Sequence, residues 1–149
     1  MGMAMKYIGF DFDGEYLHGK EWNGKLRKRF YNCDRCPRLL FEGGLSNGEK
    51  NGIGKQYYNN GKLSYEGEYL NGKKHGKGKE YHYNGNLKFE GEYSNGERNG
   101  KGKEYDWDGK LKFEGEYLNG KRNGKGKEYD WDGQLEFDGE YLNGNKIIN

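Results

Sequence analysis

The amino-acid sequence predicts an all-β protein, an elongated single-layer antiparallel meander of stacked β-hairpins with about two strands per 24-residue unit. Three observations support this prediction. The chain repeats itself at a constant interval, which is typical of arrays whose units contact mainly their neighbours. Within each unit, short segments alternate apolar and charged residues, as half-buried strands do. Asn-Gly and Asp-Gly pairs separate these segments, and such pairs favour tight hairpin turns.

The repeat is visible as a recurring triplet of an aromatic residue, an acidic residue and glycine. From Phe41 onward the triplet returns every 24 residues, and segments 89–112 and 113–136 are identical at 20 of 24 positions. The first interval is 29 residues because the first unit carries an insertion. We therefore predict an N-terminal leader, a divergent cap-like first repeat, four regular repeats and a partial terminal repeat, with boundaries at 1–11, 12–40, 41–136 and 137–149.

The composition limits the kind of core that the chain can build. Hydrophobic residues make up 31% and charged residues 34% of the chain, values that by themselves favour disorder. Aromatic residues oppose this interpretation, since 14 Tyr, seven Phe and three Trp form 16% of the chain. Val and Thr are absent, so a thick aliphatic core is not expected. The net charge of +2 argues against non-specific binding of nucleic acid, which requires a strong excess of positive charge.

One regular repeat shows how the strands and turns are predicted. Segment 111–117 alternates apolar or glycine residues with charged ones, and segment 125–131 alternates less cleanly. The pairs Asn119-Gly120, Asn123-Gly124 and Asp132-Gly133 are hairpin signals, because glycine after Asn or Asp accepts a positive φ. The repeat therefore predicts two strands joined by tight turns.

Two registers are compatible with the turn at Asp132-Gly133. A two-residue turn places Tyr129 and Trp131 on the face opposite Phe137. A three-residue turn with Gly133 in the left-handed conformation brings Tyr129 onto the same face as Leu135 and Phe137. We favour the second register because it collects the aromatic residues on one face.

Glycines within the predicted strands need a further explanation, since glycine normally weakens strand pairing. Gly115 and Gly126 are examples. We expect aromatic rings from adjacent strands to lie across this bare glycine backbone, so that Phe, Tyr and Gly together form the packing layer.

The repeats resemble the MORN (membrane occupation and recognition nexus) repeat. Its approximate pattern, Y-x-G-x-[WY]-x-x-G-x-x-x-G-x-G-x-x-x-[YF], fits "FEGEYLNGKRNGKGKEY" at 113–129 and "YEGEYLNGKKHGKGKEY" at 65–81. The resemblance covers about residues 12–144. The 24-residue unit is longer than the usual one of about 23, and is closer to a variant found in some bacterial antitoxin-like proteins. The first unit departs further, since it lacks the G-x-G.

This resemblance implies single-layer antiparallel sheets with a shallow aromatic groove and a scaffolding role at membranes or the cytoskeleton. It does not imply catalysis, and no serine is accompanied by His or Asp at a fixed spacing. We therefore expect a non-enzymatic, cytoplasmic protein without a cofactor, peripheral at a membrane or the cytoskeleton. Its function would be to bind a partner segment or a second copy of itself, a homodimer being the simplest case. An antitoxin-like binding module is a further alternative.

The first candidate site is the aromatic stripe, which is mainly core but has nothing in the sequence to cover its far side. A row of exposed rings would bind a helix, an extended peptide or another copy of the chain. The residues assigned to this partner-binding face are Tyr65, Tyr69, Phe89, Tyr93, Tyr105, Phe113, Tyr117 and Tyr129.

The second candidate site consists of basic residues in the repeat loops. If the hairpins stack in register, these residues form a positive edge for anionic lipid headgroups, phosphoinositides included. The simpler interpretation is that Lys alternates with Glu to keep a thin sheet soluble. The residues of this alternative site are Lys73, Lys74, Lys77, Arg98, Lys101, Lys121, Arg122 and Lys125.

No metal site is expected within one chain. Cys33 and Cys36 form half of a zinc knuckle, and none of the three histidines has ligand spacing relative to them. Zinc would need a second chain to complete its ligands, and an inserted hairpin turn is the simpler interpretation.

Overall fold

The computed structural model describes residues 7–31 and 38–149, which form one open sheet of twelve strands. The strands follow the order of the chain, and every strand pairs antiparallel with the next. The described residues contain no helix, and so none that is long and apolar enough to cross a membrane. The predicted all-β single-layer meander is confirmed.

The strands are two per repeat, as predicted. In chain order they are β1 (Tyr7–Leu17), β2 (Lys20–Tyr31), β3 (Arg38–Ser46), β4 (Glu49–Tyr57), β5 (Leu63–Leu70), β6 (Lys73–Tyr81), β7 (Leu87–Ser94), β8 (Glu97–Tyr105), β9 (Leu111–Leu118), β10 (Lys121–Tyr129), β11 (Leu135–Leu142) and β12 (Asn145–Lys146).

Two kinds of turn alternate along the sheet. Asn119 (φ 49°) and Gly120 (φ 84°) join β9 to β10 between the paired residues Leu118 and Lys121, a two-residue turn with both central φ positive. At the other edge, the Gly133 N–H donates to the Asp130 carbonyl, and Gly133 has a φ of 80°. The second turn is therefore the three-residue turn with a left-handed glycine that was favoured from the sequence.

The predicted face of Tyr129 is wrong, although the turn that leads to it was correct. Tyr129 pairs with Leu135, as the three-residue turn requires, but Glu128 pairs with Phe137. Glu136 is therefore an extra residue of β11 without a partner on β10, that is, a β-bulge. Because of this bulge, Leu135 and Phe137 lie on opposite faces although they are two residues apart. As a result Tyr129 lies on the face opposite Phe137.

The prediction of a hairpin turn at Asn123-Gly124 is also wrong. This pair lies inside β10, where the register shifts between Arg122, opposite Tyr117, and Gly126, opposite Gly115. Gly124 has a φ of 102°, and the Glu116 carboxylate accepts a hydrogen bond from the Lys125 N–H at 2.8 Å. The positive-φ glycine thus makes a bulge inside β10 rather than a turn, and the Glu116 carboxylate of β9 lies beside it.

The core is a single row of rings lying over glycine, as predicted. Phe113 is fully buried, and a Cβ added to Gly126 would lie 2.5 Å from its ring. Edge-to-face contacts link the rings without a break, with centroids 5.6 Å apart for Phe113–Tyr117 and 5.2 Å for Phe113–Tyr141. We call this side of the sheet the aromatic face; its rings are Phe41, Tyr65, Tyr69, Phe89, Tyr93, Phe113, Tyr117, Phe137 and Tyr141.

The first repeat keeps the glycine pair although its sequence lacks the G-x-G. Gly14 pairs with Gly24, as Gly115 pairs with Gly126 in the regular repeats. A Cβ on Gly14 would lie 2.7 Å from the Gly24 Cα. The close approach of two bare strands therefore extends to the sheet edge. Cys33 and Cys36, the candidate intermolecular zinc ligands, lie outside the described residues.

Candidate functional site

The aromatic face is covered by the chain itself, contrary to the expectation that nothing covers it. Arg122 lies with its guanidinium carbon 4.1 Å from the centre of the Phe113 ring and 5.8 Å from that of Tyr141. The equivalent residues of other repeats occupy the same place above their own rings. We call this layer the lid; its cations are Lys50, Lys74, Arg98, Arg122 and Lys146, and its carboxylates are those of Glu80, Glu104 and Glu128.

Ion pairs and hydrogen bonds hold the lid carboxylates in place. Glu104 accepts hydrogen bonds from Arg122 and from the Tyr117 hydroxyl. Burial alone would raise the pKa of Glu104, but these hydrogen bonds and the nearby positive charges lower it. Tyr117 donates to the same carboxylate, and its pKa is raised, first by burial and then by this bond. The lid is therefore a charged layer in which each of the three carboxylates accepts a hydrogen bond from a tyrosine hydroxyl and pairs with at least one cation.

The opposite side of the sheet carries an open groove of about 940 Å³. Its floor is the backbone of the glycine pairs, such as Gly91 with Gly102 and Gly115 with Gly126, which present no side chain. We call this side the groove face. Its lining residues extend from β4 to β11, which at about 4.8 Å per strand is a length on the order of 30 Å.

The walls of the groove carry charges in alternating bands. On β8, Lys101 and Lys103 stand on either side of Gly102, whereas on β9 Glu114 and Glu116 stand on either side of Gly115. The same arrangement recurs with lysines on β6 and β10 and carboxylates on β5 and β7. Positive and negative bands therefore alternate strand by strand, and each sign returns about every 10 Å.

A row of tyrosines supports one wall of the groove. The Tyr105 hydroxyl donates to Glu90 at 2.7 Å and the Tyr129 hydroxyl to Glu114 at 2.7 Å. Burial and the hydrogen bond to Glu90 raise the pKa of Tyr105 to about 12. Each bond joins a strand to the one before it, so this row of carboxylates is held at fixed positions.

The structure divides the predicted aromatic site between the two faces. Six of its residues lie together, buried, on the aromatic face: Tyr65, Tyr69, Phe89, Tyr93, Phe113 and Tyr117. Tyr105 and Tyr129 lie on the groove face, where they bond to Glu90 and Glu114. The two groups lie on opposite faces because of the bulge after each three-residue turn. The regular alternation of strand residues between the two faces does not predict this bulge.

The predicted basic site is divided as well. Lys74, Arg98 and Arg122 belong to the lid, where ion pairs and rings engage them. Three others line the groove, namely Lys77, Lys101 and Lys125. Lys73 and Lys121 are exposed at the hairpin turns. The eight residues therefore do not form one positive edge.

The carboxylates of the groove were not proposed as site residues from the sequence. Glu66, Glu90 and Glu114 each follow an aromatic residue of the repeat, so strand alternation alone places them opposite the rings. That alternation was a usable signal, because every residue between a ring and a glycine must face the other side. Within the described part of the chain, no group of three or more His, Cys, Asp or Glu side chains is placed to hold a metal ion.

Comparison with known families agrees with the repeat boundaries seen in the structure. The model of the MORN repeat matches residues 65–87, 89–109 and 113–134, and the model of a MORN repeat variant matches residues 50–71. Together the matches cover more than half of the chain. Comparison with curated proteins finds no match.

Proposed function

Since this chain belongs to the MORN-repeat family, whose repeats are generally associated with protein and membrane interactions, we propose that it is a non-enzymatic interaction scaffold. Its groove face binds an extended segment of a partner protein. The observation that carries the proposal is the open groove with a bare glycine floor and fixed charges on both walls.

The spacing of the charged bands defines the partner segment. A segment in the polyproline II conformation advances about 3.1 Å per residue with three residues per turn, so residues three apart lie about 9 Å apart on the same side. A segment with one sign of charge at every third position and the opposite sign between matches the bands on β5 to β10. Charge complementarity of this kind contributes mainly to specificity and to the rate of association.

The groove offers more room for binding than the aromatic face does. The rings of the aromatic face lie beneath Arg98, Arg122 and their carboxylate partners, so a partner would first have to displace the lid. In the groove, by contrast, no side chain rises from the glycine floor. The floor is bare because the side-chain positions of its glycines point towards the rings of the aromatic face, so a partner can reach the strand backbone between the charged walls.

A binding experiment with synthetic peptides tests this proposal. Fluorescence anisotropy would compare labelled peptides of one composition whose charges alternate either with a period of three or in scrambled order. We expect the period-three peptide to bind more tightly. Reversing the β8 band with the double variant Lys101→Glu and Lys103→Glu should weaken binding by about tenfold or more.

The matched control makes the same change of charge away from the groove. Lys73→Glu combined with Lys121→Glu removes the same charges from exposed turn residues and should leave the affinity within about twofold. Equal affinities for the two peptides, or equal losses in both double variants, would reject the groove as the binding site. Circular dichroism would verify that both variants keep the β fold.

The alternative of anionic-membrane binding through the basic residues has less support. Lys77, Lys101 and Lys125 alternate with carboxylates along the groove, and Arg98 and Arg122 are engaged in the lid. The attraction of a protein to an anionic membrane depends on its charges summed over about a Debye length. Over that distance the positive and negative charges of the groove largely cancel. Co-sedimentation with anionic vesicles at physiological salt distinguishes the two functions.

A further inference from the structure

The lid is interrupted at one position. In the regular repeats Arg98 and Arg122 each lie between two lid carboxylates, one on the same strand and one two strands earlier in the sheet. Arg122, for example, is 3.0 Å from Glu104 and 3.6 Å from Glu128. The 24-residue period places Gln56 where the next repeat has Glu80. Lys28 pairs with Phe41 as Glu128 pairs with Phe137, so lysine occupies the carboxylate position of β2.

Lys50 is the lid cation at this interruption. Its ammonium group lies 4.5 Å from the centre of the Phe41 ring and 5.2 Å from that of Tyr69, much as Lys74 lies over Tyr65 and Tyr93. The two equivalent positions around Lys50, however, hold Lys28 on β2 and Gln56 on β4 itself instead of carboxylates. Among the described residues, no ion pair to Lys50 is formed.

Within the part of the chain that the structure describes, the positive charge at this point is therefore not compensated by a carboxylate. Burial lowers the pKa of Lys50, and the charges of Lys28 and Lys74 lower it further. In the next repeat the pKa of Lys74 is lowered by burial too, but there the Glu80 carboxylate opposes the effect. An anion next to Lys50 would relieve the same repulsion.

We propose that Lys28, Lys50 and Gln56 form a binding site for a small oxyanion of the phosphate class, which replaces the missing lid carboxylate. Lysine ammonium groups bind phosphate as point charges. The Tyr69 hydroxyl donates to the Gln56 side-chain oxygen at 3.3 Å, which directs the amide nitrogen to act as the donor to the anion. Lys74, on the other side of Gln56, adds a third positive charge.

Thermal unfolding and calorimetric titration with inorganic phosphate test the site. A ligand that binds only the folded chain raises its midpoint of unfolding. We expect sodium phosphate to raise the midpoint of the natural chain above its value in sodium chloride of equal ionic strength. Gln56→Glu supplies the lid carboxylate internally, so it should weaken phosphate binding by about tenfold or more. Lys50→Gln should weaken phosphate binding by a similar factor.

The controls separate loss of the site from loss of the fold. Gln134→Glu is the same chemical change at an exposed position near the other end of the sheet, and phosphate affinity should not change. Gln56→Glu should also unfold at a higher temperature than the natural chain in sodium chloride, because it completes the lid. Equal phosphate effects in the natural chain and Gln56→Glu, or no phosphate effect at all, would overturn the proposal.

A vesicle-binding experiment distinguishes a lipid headgroup from a free phosphate compound as the source of the oxyanion. Binding to vesicles that contain phosphatidylinositol phosphates, lost in Gln56→Glu and kept in Gln134→Glu, would assign the site to a lipid headgroup. Phosphate binding without such vesicle binding would assign it to a free phosphate compound. If neither ligand distinguishes the natural chain from Gln56→Glu, the site does not exist.

Discussion

Arg122 donates hydrogen bonds to Glu104 from Nε at 3.0 Å and from Nη2 at 3.2 Å, while its guanidinium carbon lies 4.1 Å from the centre of the Phe113 ring. One side chain thus joins β10 to β8 and covers the ring of the strand between them. The planar guanidinium group suits both contacts, since it can donate two parallel hydrogen bonds to one carboxylate and can stack on the face of a ring.

Replacing Arg122 should therefore cost more than the loss of a surface ion pair. We expect Arg122→Gln to lower the free energy of unfolding by about 1–3 kcal/mol, because the side chains of Arg122 and Glu104 are each less than one-fifth exposed. Arg122→Lys should recover only part of this loss, since it cannot form the fork. Urea unfolding measures the effect, and Lys121→Gln is the control on an exposed neighbour. Equal stabilities of Arg122→Gln and Lys121→Gln would contradict the role of the lid.

The glycine floor gives a second prediction. Gly126→Ala should destabilise the chain by about 1–3 kcal/mol or more, because its Cβ would lie 2.5 Å from the Phe113 ring. Gly133→Ala has open space around its Cβ but a φ of 80°, so it should cost only about 1–2 kcal/mol through backbone strain. Near-ultraviolet circular dichroism distinguishes them. The tyrosine signal should change in Gly126→Ala and persist in Gly133→Ala.

Acid should weaken the fold through the lid. The folded-state pKa values of Glu80 and Glu104 lie below the unfolded value of about 4.3, so their stabilising contribution is present above that pH. It is lost as the pH falls through the folded-state values. Unfolding free energies measured between neutral pH and about pH 3 should show this decline. The slope should be smaller in Glu104→Gln, and an unchanged slope would count against Glu104 as a contributor.

High pH should destabilise the fold by ionising the tyrosines of the groove face. Burial, followed by hydrogen bonds to Glu42 and Glu90, raises the pKa of both Tyr57 and Tyr105 to about 12. Their folded-state pKa values exceed the unfolded value of about 10, so their contribution to stability is complete below pH 10 and is lost as the pH rises towards 12. Ultraviolet titration of tyrosinate should show two fewer late-ionising groups after Tyr57→Phe and Tyr105→Phe. Titration near pH 10 of all tyrosines in the native chain would contradict this assignment.

Much of the fold followed from local patterns. The two-residue turn at Asn119-Gly120 and the three-residue turn ending at Gly133 were predictable, because each needs a positive φ at a position that Asn or Gly occupies. The position of Phe113 above Gly126 also followed from the sequence, since glycine inside a strand indicates close approach of another group.

The bulges and the lid did not follow from those patterns. Asn123-Gly124 has the sequence of a turn, and only the pairing of β10 with β9 shows that it is a bulge inside a strand. The register shift at Glu136 likewise depends on how β11 pairs with β10, and it decides which face Tyr129 occupies.

The sequence by itself determined that this chain is a single sheet of repeated hairpins, because period, alternation and turn chemistry are all local properties of the chain. Only the tertiary structure decided which side is open. Arg122 covers Phe113 because strands distant in sequence bring its guanidinium, the ring and Glu104 together. The aromatic face is closed by these contacts between strands, and the open surface lies on the other side, over the glycines.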